Sequence, residues 1–256
     1  MSAGRYTFGD SDPAARRLAE VAAVFEAPTR AFLGREGRGP VGVAVDLGCG
    51  PGYTTELLAR CLRPRRLAGL DRSEAFLERA RRLVPGASFH LHDVTRTPLP
   101  TGPADLLFAR FLLTHLRQPG RVLAAWAAQL APGGLLLIDE VEWIRTRDPA
   151  LAGYLRVVAA VLEARGHRLE VGATLDALPD PPGLDRRGSQ VAVHEVDPAR
   201  AAAMFRANLS VWRHDPQAHD LVGTPELDRL DRALAGRRTT PITWGLRQIA
   251  WRRGRH

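Results

Sequence analysis

The sequence contains no lysine, one asparagine (Asn208), two cysteines and no long hydrophobic run. All 36 basic side chains are therefore arginines, and with 28 acids they give a formal charge of +8. Because alanine, glycine, proline and leucine also dominate, this bias is typical of a GC-rich coding genome, which weakens the inference from charge to a nucleic-acid partner. The arginines are dispersed and are not interleaved with aromatic residues, so we expect no nucleic-acid-binding surface.

Zinc-site and membrane signals are missing as well. Cys49 and Cys61 cannot form a zinc site by themselves. No apolar run approaches the roughly 20 residues that span a bilayer, and the first residues lack the apolar core of a signal peptide. These absences predict a cytoplasmic protein without membrane contact. A length of 256 residues with 45% hydrophobic content allows one sizeable α/β domain with an elaboration, or two small domains.

Strand and helix patterns alternate along most of the chain. We predict strands at 41–47, 66–70, 87–92, 104–109, 135–141, 189–196 and 240–251, and helices at 54–61, 73–83, 120–130, 149–165, 198–213 and 225–235. Strands separated by helices of this length imply right-handed crossovers and parallel pairing. The fold class is therefore α/β: a seven-stranded, mostly parallel sheet with an antiparallel last strand, helices on both faces and helical lid insertions.

The two ends of the chain carry the elaborations. Asp12 and Pro13 mark the start of a helix, which Pro28 is expected to break so that a short second helix runs to Gly34. Segment 179–188, PDPPGLDRRG, reads as a loop. We divide one compact domain into a helical covering segment (1–36), a sheet core (37–146) and a helical lid with the last two strands (147–256). A separate helical C-terminal domain is disfavoured, because the last strand is too apolar to leave the main sheet.

A glycine-rich loop, VAVDLGCGPGYTT, follows the first predicted strand. Open parallel sheets bind ligands at the carboxyl ends of their strands, and glycines there let backbone amides approach a ligand closely. Tyr53 stands where the dinucleotide fingerprint requires a third glycine, and no GKS or GKT follows to make a P-loop. Asp46, ahead of the loop, favours a ligand with an ammonium group over a pyrophosphate.

The series Asp46, Gly48, Gly50 and Gly52 resembles motif I of the class I S-adenosylmethionine-dependent methyltransferases. Four further segments resemble later motifs of that family, in order and in register: LAGLDRS, FHLHDV, ADLLFARFLLTHL and LAPGGLLLIDE. The resemblance covers about residues 41–141. It implies a Rossmann-like fold with S-adenosylmethionine as the cofactor. The pattern after the fourth strand is most similar to the small-molecule branch, which includes ubiquinone-pathway and antibiotic-tailoring enzymes.

The same resemblance implies roles for individual residues. Asp71 would bind both ribose hydroxyls, Asp93 would accept from the adenine amino group, and Val94 would line the adenine slot. Arg72 stands where an apolar residue commonly packs on adenine, and its guanidinium can stack there instead. The remaining cofactor-binding candidates are Asp46, Gly48, Cys49, Gly50, Arg110 and Tyr6, with Phe8 beside Tyr6 over the methionine end.

Catalytic candidates are sought at the strand ends that face the lid. Transfer of a sulfonium methyl requires an oriented nucleophile and exclusion of water. A base is needed only for a hydroxyl or a protonated amine. Glu140, Glu142 and His115 are the candidate catalytic residues, although a packing role for His115 and solvent exposure for the glutamates are the alternatives. Trp143, Trp212 and His194 are the candidate substrate-binding residues.

We predict no metal, because His90 and His92 lack further ligands and the exit of the fourth strand lacks the aspartate of magnesium-dependent catechol-type methyltransferases. The leading prediction is methyl transfer to oxygen, nitrogen or carbon of a small molecule, with a secondary metabolite as the first expectation. The alternatives are an RNA methyltransferase, motivated by charge, and a non-catalytic protein that binds S-adenosylmethionine. The oligomeric state is left open, with a homodimer among the alternatives.

Overall fold

A seven-stranded sheet organises the computed structural model, which describes residues 12–255 apart from the side chains of Pro13 and Gln217. The strands are β1 (Val43–Leu47), β2 (Arg66–Asp71), β3 (Ser88–Leu91), β4 (Ala104–Arg110), β5 (Leu130–Thr146), β6 (Leu184–Val196) and β7 (Ile242–Arg253). Their order in the sheet is β3-β2-β1-β4-β5-β7-β6. Strands β1 to β5 pair in parallel, whereas β7 is antiparallel to β5 and β6. The predicted fold class is therefore confirmed.

Helices connect these strands throughout the described part of the chain. They are α1 (Asp12–Glu36), α2 (Tyr53–Leu62), α3 (Glu74–Leu83), α4 (Pro119–Ala127), α5 (Pro149–Ala164), α6 (Gly172–Asp176), α7 (Pro198–Trp212), α8 (Pro216–Val222) and α9 (Thr224–Ala235), with a 3-10 turn at Leu113–His115. Ser73 caps α3 as predicted, since its hydroxyl accepts from the amide of Phe76. The short helices α6 and α8 were not predicted.

Alternating side chains of the central strands fill a core on each face of the sheet. On β4, Leu106 and Phe108 pack towards α1 and α2, whereas Leu107 and Ala109 pack towards α4. Successive side chains of a strand point to opposite faces, so an uninterrupted apolar strand requires helices on both sides. This pattern explains why the helices cover both faces of the sheet.

A third core lies under the lid helices. Side chains of α5, α7 and α9 pack there against Val24 and Phe25 of α1 and against the first half of β7. Strand β5 reaches this core because it runs over 17 residues, well past the predicted end at 141. The predicted loop at 179–188 is also wrong in part, since Leu184 already begins β6 and pairs with Arg253.

Helix α1 continues through Pro28, contrary to the predicted break. A proline inside a helix removes the N–H that would bond the carbonyl four residues earlier. Here that carbonyl, of Val24, accepts instead from Nε2 of His194 on β6 at 2.8 Å. The carbonyl of Pro28 itself accepts from Nε2 of Gln248 on β7 at 3.2 Å. Tertiary contacts therefore replace the lost helical hydrogen bond and keep α1 continuous.

Candidate active site

The carboxyl ends of β1, β2 and β4 meet at one edge of the sheet, where the glycine loop turns back. Gly48, Gly50 and Gly52 have φ angles of +67°, +53° and +94°, in the left-handed region that favours glycine. A Cβ on Gly52 would lie 3.0 Å from the backbone of Ala80, whereas one on Gly50 would meet only a Leu18 side-chain carbon at 3.8 Å. The loop therefore packs tightly against α3 at Gly52, and it leaves open space above Gly50.

Asp71, the last residue of β2, holds this loop. Its Oδ2 accepts from the amide of Gly50 at 2.8 Å, and its Oδ1 accepts from the amide of Ser73 at 2.9 Å. Burial raises the pKa of Asp71, against the opposing effect of these amides. The carboxylate is thus fixed between the glycine loop and the start of α3, where it faces the cavity described next.

A cavity of about 510 Å³ opens above the loop. Part of its wall comes from α1, through Leu18, Val21 and Ala22. Eight of the sequence-predicted cofactor residues line it together: Gly48, Cys49, Gly50, Asp71, Arg72, Asp93, Val94 and Arg110. Tyr6, and Phe8 beside it, lie outside the described residues, so the predicted cover over the methionine end stays a prediction.

Asp93 and Val94 follow β3 on the same side. Burial would raise the pKa of Asp93, but hydrogen bonds from the Thr95 hydroxyl (2.7 Å) and amide (3.0 Å) outweigh it, so the pKa is lowered. The carbonyl of Val94 accepts from Nε1 of the buried Trp126 at 2.8 Å. An ionised acceptor and a fixed apolar side chain suit the amino group and the ring of adenine.

Asp46 requires a correction, because it was predicted to be a cofactor-binding residue. It is 1% exposed and does not line the cavity. Its Oδ2 accepts from the hydroxyls of Thr54 and Thr55, each at 2.6 Å, and burial raises its pKa to about 6 against these hydrogen bonds. Asp46 therefore fixes the first turn of α2 below the loop instead of facing a ligand ammonium.

Arg110 connects the cavity to a buried polar network. Its Nη1 donates to the Thr29 hydroxyl at 3.2 Å, and that hydroxyl donates to Oδ2 of Asp139 at 2.7 Å. Its guanidinium also lies over the ring of Phe111, 5.5 Å from the centroid. Phe111 has a φ angle of +52°, a strained conformation for a phenylalanine that is typical of functional sites.

A second cavity, of about 130 Å³, adjoins the first beneath the lid helices. The two share four lining residues: Leu18, Val21, Phe111 and His115. The His115 and His167 rings meet edge to face, with centroids 5.7 Å apart. Burial, with smaller effects of His167 and Arg17, lowers the pKa of His115 to about 3. His115 is therefore a neutral imidazole where the two cavities meet.

The two predicted catalytic glutamates line neither cavity. Oε1 of the fully buried Glu140 accepts from the amides of Leu112 and Leu113, both at 2.7 Å. Glu142 forms a two-bond pair with Arg247, from Nε at 2.9 Å and from Nη2 at 2.7 Å. Both predictions are corrected: strand-end position brought the glutamates near the site, but the carboxyl group of Glu140 positions the loop after β4, and Glu142 joins β5 to β7.

The three predicted substrate residues also lie outside both cavities. Trp143 packs over Gly245, where an added Cβ would lie 2.3 Å from the indole, and it carries the Arg145 guanidinium 4.3 Å from its ring. Trp212 is fully buried and stacks on Tyr154 at 5.8 Å. His194 bonds α1, as described above. Trp212 therefore packs in the core under the lid, whereas Trp143 and His194 are partly exposed and contact β7 and α1 respectively.

Sequence reasoning missed residues that the lid brings to the second cavity. Tyr154 and Phe205 stack there with centroids 4.0 Å apart, and Asn208 hydrogen-bonds to the Tyr154 hydroxyl. Asn208 had a usable signal, because it is the one asparagine of the chain and lies on the apolar face of a helix. His167, which lines the first cavity from the loop between α5 and α6, had none.

The described residues contain no group of three or more His, Cys, Asp or Glu side chains that could hold a metal. Nε2 of His92 bonds the carbonyl of Arg96 at 2.9 Å, and Nε2 of His90 lies 3.3 Å from the Ser88 hydroxyl. Within 12–255, none of the helices combines the length and apolarity that crossing a membrane would require.

These features define a class. A parallel sheet with this order, a left-handed glycine turn after β1, and acids after β2 and β3 around one cavity form the Rossmann-like core of a class I methyltransferase. The geometry fits S-adenosylmethionine, because open space lies above Gly50 beside the fixed carboxylate of Asp71. Asp71 and Asp93 would hold its ribose and adenine, and the glycine loop would hold its amino-acid part.

Comparison with known proteins agrees with this class. Residues 45–138 match the family model described as methyltransferase domain, so the chain contains a methyltransferase domain. A trans-aconitate 2-methyltransferase of Pseudomonas aeruginosa (strain UCBPP-PA14) is 36% identical over 168 residues, which are 65% of this chain and 56% of that protein. The chain spans about half the length, or less, of the curated relatives it matches.

Solved structures share the fold. A putative type II methyltransferase from Anaeromyxobacter dehalogenans aligns with a TM-score of 0.62 at 23% identity, covering 90% of this chain and 97% of that one. A coclaurine N-methyltransferase bound to N-methylheliamine and S-adenosylhomocysteine aligns with a TM-score of 0.54 at 14% identity, covering 92% and 73%. Each alignment covers at least 90% of this chain, so the shared fold extends beyond residues 45–138.

Proposed function

We propose that this protein transfers the methyl group of S-adenosylmethionine to a small molecule bound in the second cavity. The observation that carries the proposal is the junction of the two cavities at Phe111 and His115. A cofactor in the larger cavity would present its methyl group towards that junction, because Asp71 and Asp93 would bind its nucleoside part beside β2 and β3, on the side of β1 away from β4. The lid helices and α1 exclude water from the acceptor.

The chain's own residues would act mainly by orientation. The cofactor, when bound, supplies a methyl group on a positively charged sulfur, which is already activated for transfer. Among the described residues that line the second cavity there is no Asp or Glu, and His115 is neutral with a pKa near 3. We therefore infer that positioning by Phe111, His115 and the lid contributes more than a strong base.

The identity of the acceptor belongs to this proposal as well. The trans-aconitate enzymes among the relatives make acidic metabolites one group to assay, and secondary metabolites are the other. A cavity of about 130 Å³ supports a small molecule rather than an RNA chain. Methyl incorporation into RNA, with binding that weakens steeply as salt rises, would contradict the proposal.

Calorimetry with S-adenosylhomocysteine tests the cofactor part. We expect wild type to bind it and Asp71→Ala to bind about 10- to 100-fold more weakly, since a charge-assisted hydrogen bond pair to the ribose is lost. Asp185→Ala, an exposed acid on β6, is the matched control and should bind as wild type does. Equal binding by wild type and Asp71→Ala would show that the cofactor assignment is wrong.

A further inference from the structure

The second cavity is apolar apart from a few side chains. Its wall includes Val158, Leu162, Met204 and Trp244, and its polar members include Asn208 and Tyr154, which line this cavity but not the cofactor cavity. Arg17 is the single arginine among the described residues that line it. An acceptor held here therefore meets mostly hydrocarbon, the neutral pair of Asn208 and Tyr154, and a few further polar side chains, which are Arg17, Thr114 and His115.

Asn208 carries an unused hydrogen-bond acceptor. The side chain is 5% exposed, and its Nδ2 donates to the Tyr154 hydroxyl oxygen. Its Oδ1 is buried, and within residues 12–255 no group is hydrogen-bonded to it. A buried carbonyl without a donor costs about 1–3 kcal/mol, so native proteins rarely retain one without a ligand or water.

Tyr154 completes the pair with a donor. Burial raises the pKa of its hydroxyl, which therefore keeps its proton. With Nδ2 of Asn208 donating to its oxygen, the hydroxyl proton can point to a bound molecule while Oδ1 of Asn208 accepts from it. If the amide is turned over, Nδ2 becomes the donor and the tyrosine oxygen the acceptor. In either orientation the pair offers one donor and one acceptor side by side.

We infer that the second cavity selects an uncharged, mostly apolar acceptor whose hydroxyl group bonds to Asn208 and Tyr154. A hydroxyl matches the pair because it donates and accepts at one atom. The inference rests on the proposed function, since it names the acceptor class of that same site. Trans-aconitate, with three carboxylates, does not fit, because burying anions requires cationic partners and only Arg17 lines the described wall.

Small probes test the inference without any methyl transfer. Phenol and toluene have nearly the same size and differ by the hydroxyl, so their Kd values are compared by ligand-observed NMR on protein saturated with S-adenosylhomocysteine. We expect wild type to bind phenol about tenfold more tightly than toluene, the effect of one net hydrogen bond. Asn208→Leu and Tyr154→Phe should each bring the two Kd values to within about twofold.

The controls separate this inference from the proposed function. Ser210→Ala, exposed on the same helix, should keep the wild-type preference, and S-adenosylhomocysteine binding by every variant reports an intact fold. A wild type that binds toluene as well as phenol, a preference that survives Asn208→Leu, or displacement of phenol by trans-aconitate would each overturn the inference. Absence of methyl transfer with intact phenol binding would contradict the proposed function alone.

Discussion

At the scale of single residues, the side chain of Glu140 positions the loop that follows β4. Glu140 points from β5 under the loop that follows β4, where its Oε1 accepts two backbone amides. Burial raises its pKa to about 8, although these amides oppose the shift. The group is therefore largely protonated near neutral pH, and it acts as a neutral anchor for the loop that carries Phe111 into the site.

The stability of the protein should report this proton. The folded pKa of Glu140, about 8, exceeds the ordinary value of 4.5, so its contribution is complete below pH 4.5 and is lost as pH rises towards 8. Wild type should lose stability relative to Glu140→Gln by about 1 kcal/mol per pH unit across that window. Urea unfolding at pH 5, 6, 7 and 8 measures the difference. A constant difference between the two proteins would show that Glu140 does not titrate in this way.

At the scale of elements, helix α1 covers both cavities and is held in place by contacts with β6 and β7. It contributes Leu18 and Val21 to both cavities. Its continuity through Pro28 depends on His194 of β6, whose ring donates to the carbonyl of Val24. Strand β6, at the edge of the sheet, therefore holds the helix that covers the cofactor cavity.

A double-mutant cycle tests this contact. His194→Phe keeps the ring but leaves the buried Val24 carbonyl without a donor, so it should destabilise the protein by about 1–3 kcal/mol. Pro28→Ala supplies a backbone N–H to the same carbonyl. In the Pro28→Ala background the effect of His194→Phe should therefore shrink by about 1 kcal/mol in urea unfolding. Strictly additive effects of the two substitutions would contradict the replacement of one donor by the other.

At the scale of the whole molecule, strands β5 and β7 contribute to the core of the sheet and to the core under the lid. Trp244 and Leu246 of β7 lie in the core under the lid, whereas Ile249 and Trp251 of the same strand lie in the core of the sheet. Strand β5 pairs with β7 over most of its length, from Leu135 to Thr146. We therefore propose that the lid and the sheet unfold as one cooperative unit.

Substitution of a fully buried lid residue, Leu209→Ala, tests that unity. We expect a loss of about 2–5 kcal/mol, and a single transition displaced as a whole, because the cavity destabilises a core that shares strands with the sheet. Thermal unfolding curves recorded by far-UV and by near-UV circular dichroism should coincide if the transition is single. Leu221→Ala, at a leucine that is 49% exposed, is the matched control and should leave the transition nearly unchanged. Two separated transitions would identify an independent lid.

The sequence by itself determined the sheet core and the cofactor side of the site. Uninterrupted apolar strands require both faces of the sheet to be covered, which indicates the fold class, and glycines after β1 allow the left-handed φ angles of the loop. Asp71, Asp93 and Val94, which the family resemblance marked as cofactor residues, line one cavity because parallel strands bring their carboxyl ends to the same edge, and their binding roles stay predictions. For these residues the local sequence motif was enough to predict where they lie in the fold.

Tertiary structure alone decided the acceptor side. Glu140 and Glu142 follow the same rule of strand ends as Asp71, yet one anchors a loop and the other pairs with Arg247 from β7, a partner 105 residues away. Likewise Asn208 and Tyr154 come together from two lid helices whose packing no local pattern specifies. Periodicity predicts which residues are buried, but which buried polar groups find partners depends on contacts between distant segments, and the fold alone supplies those.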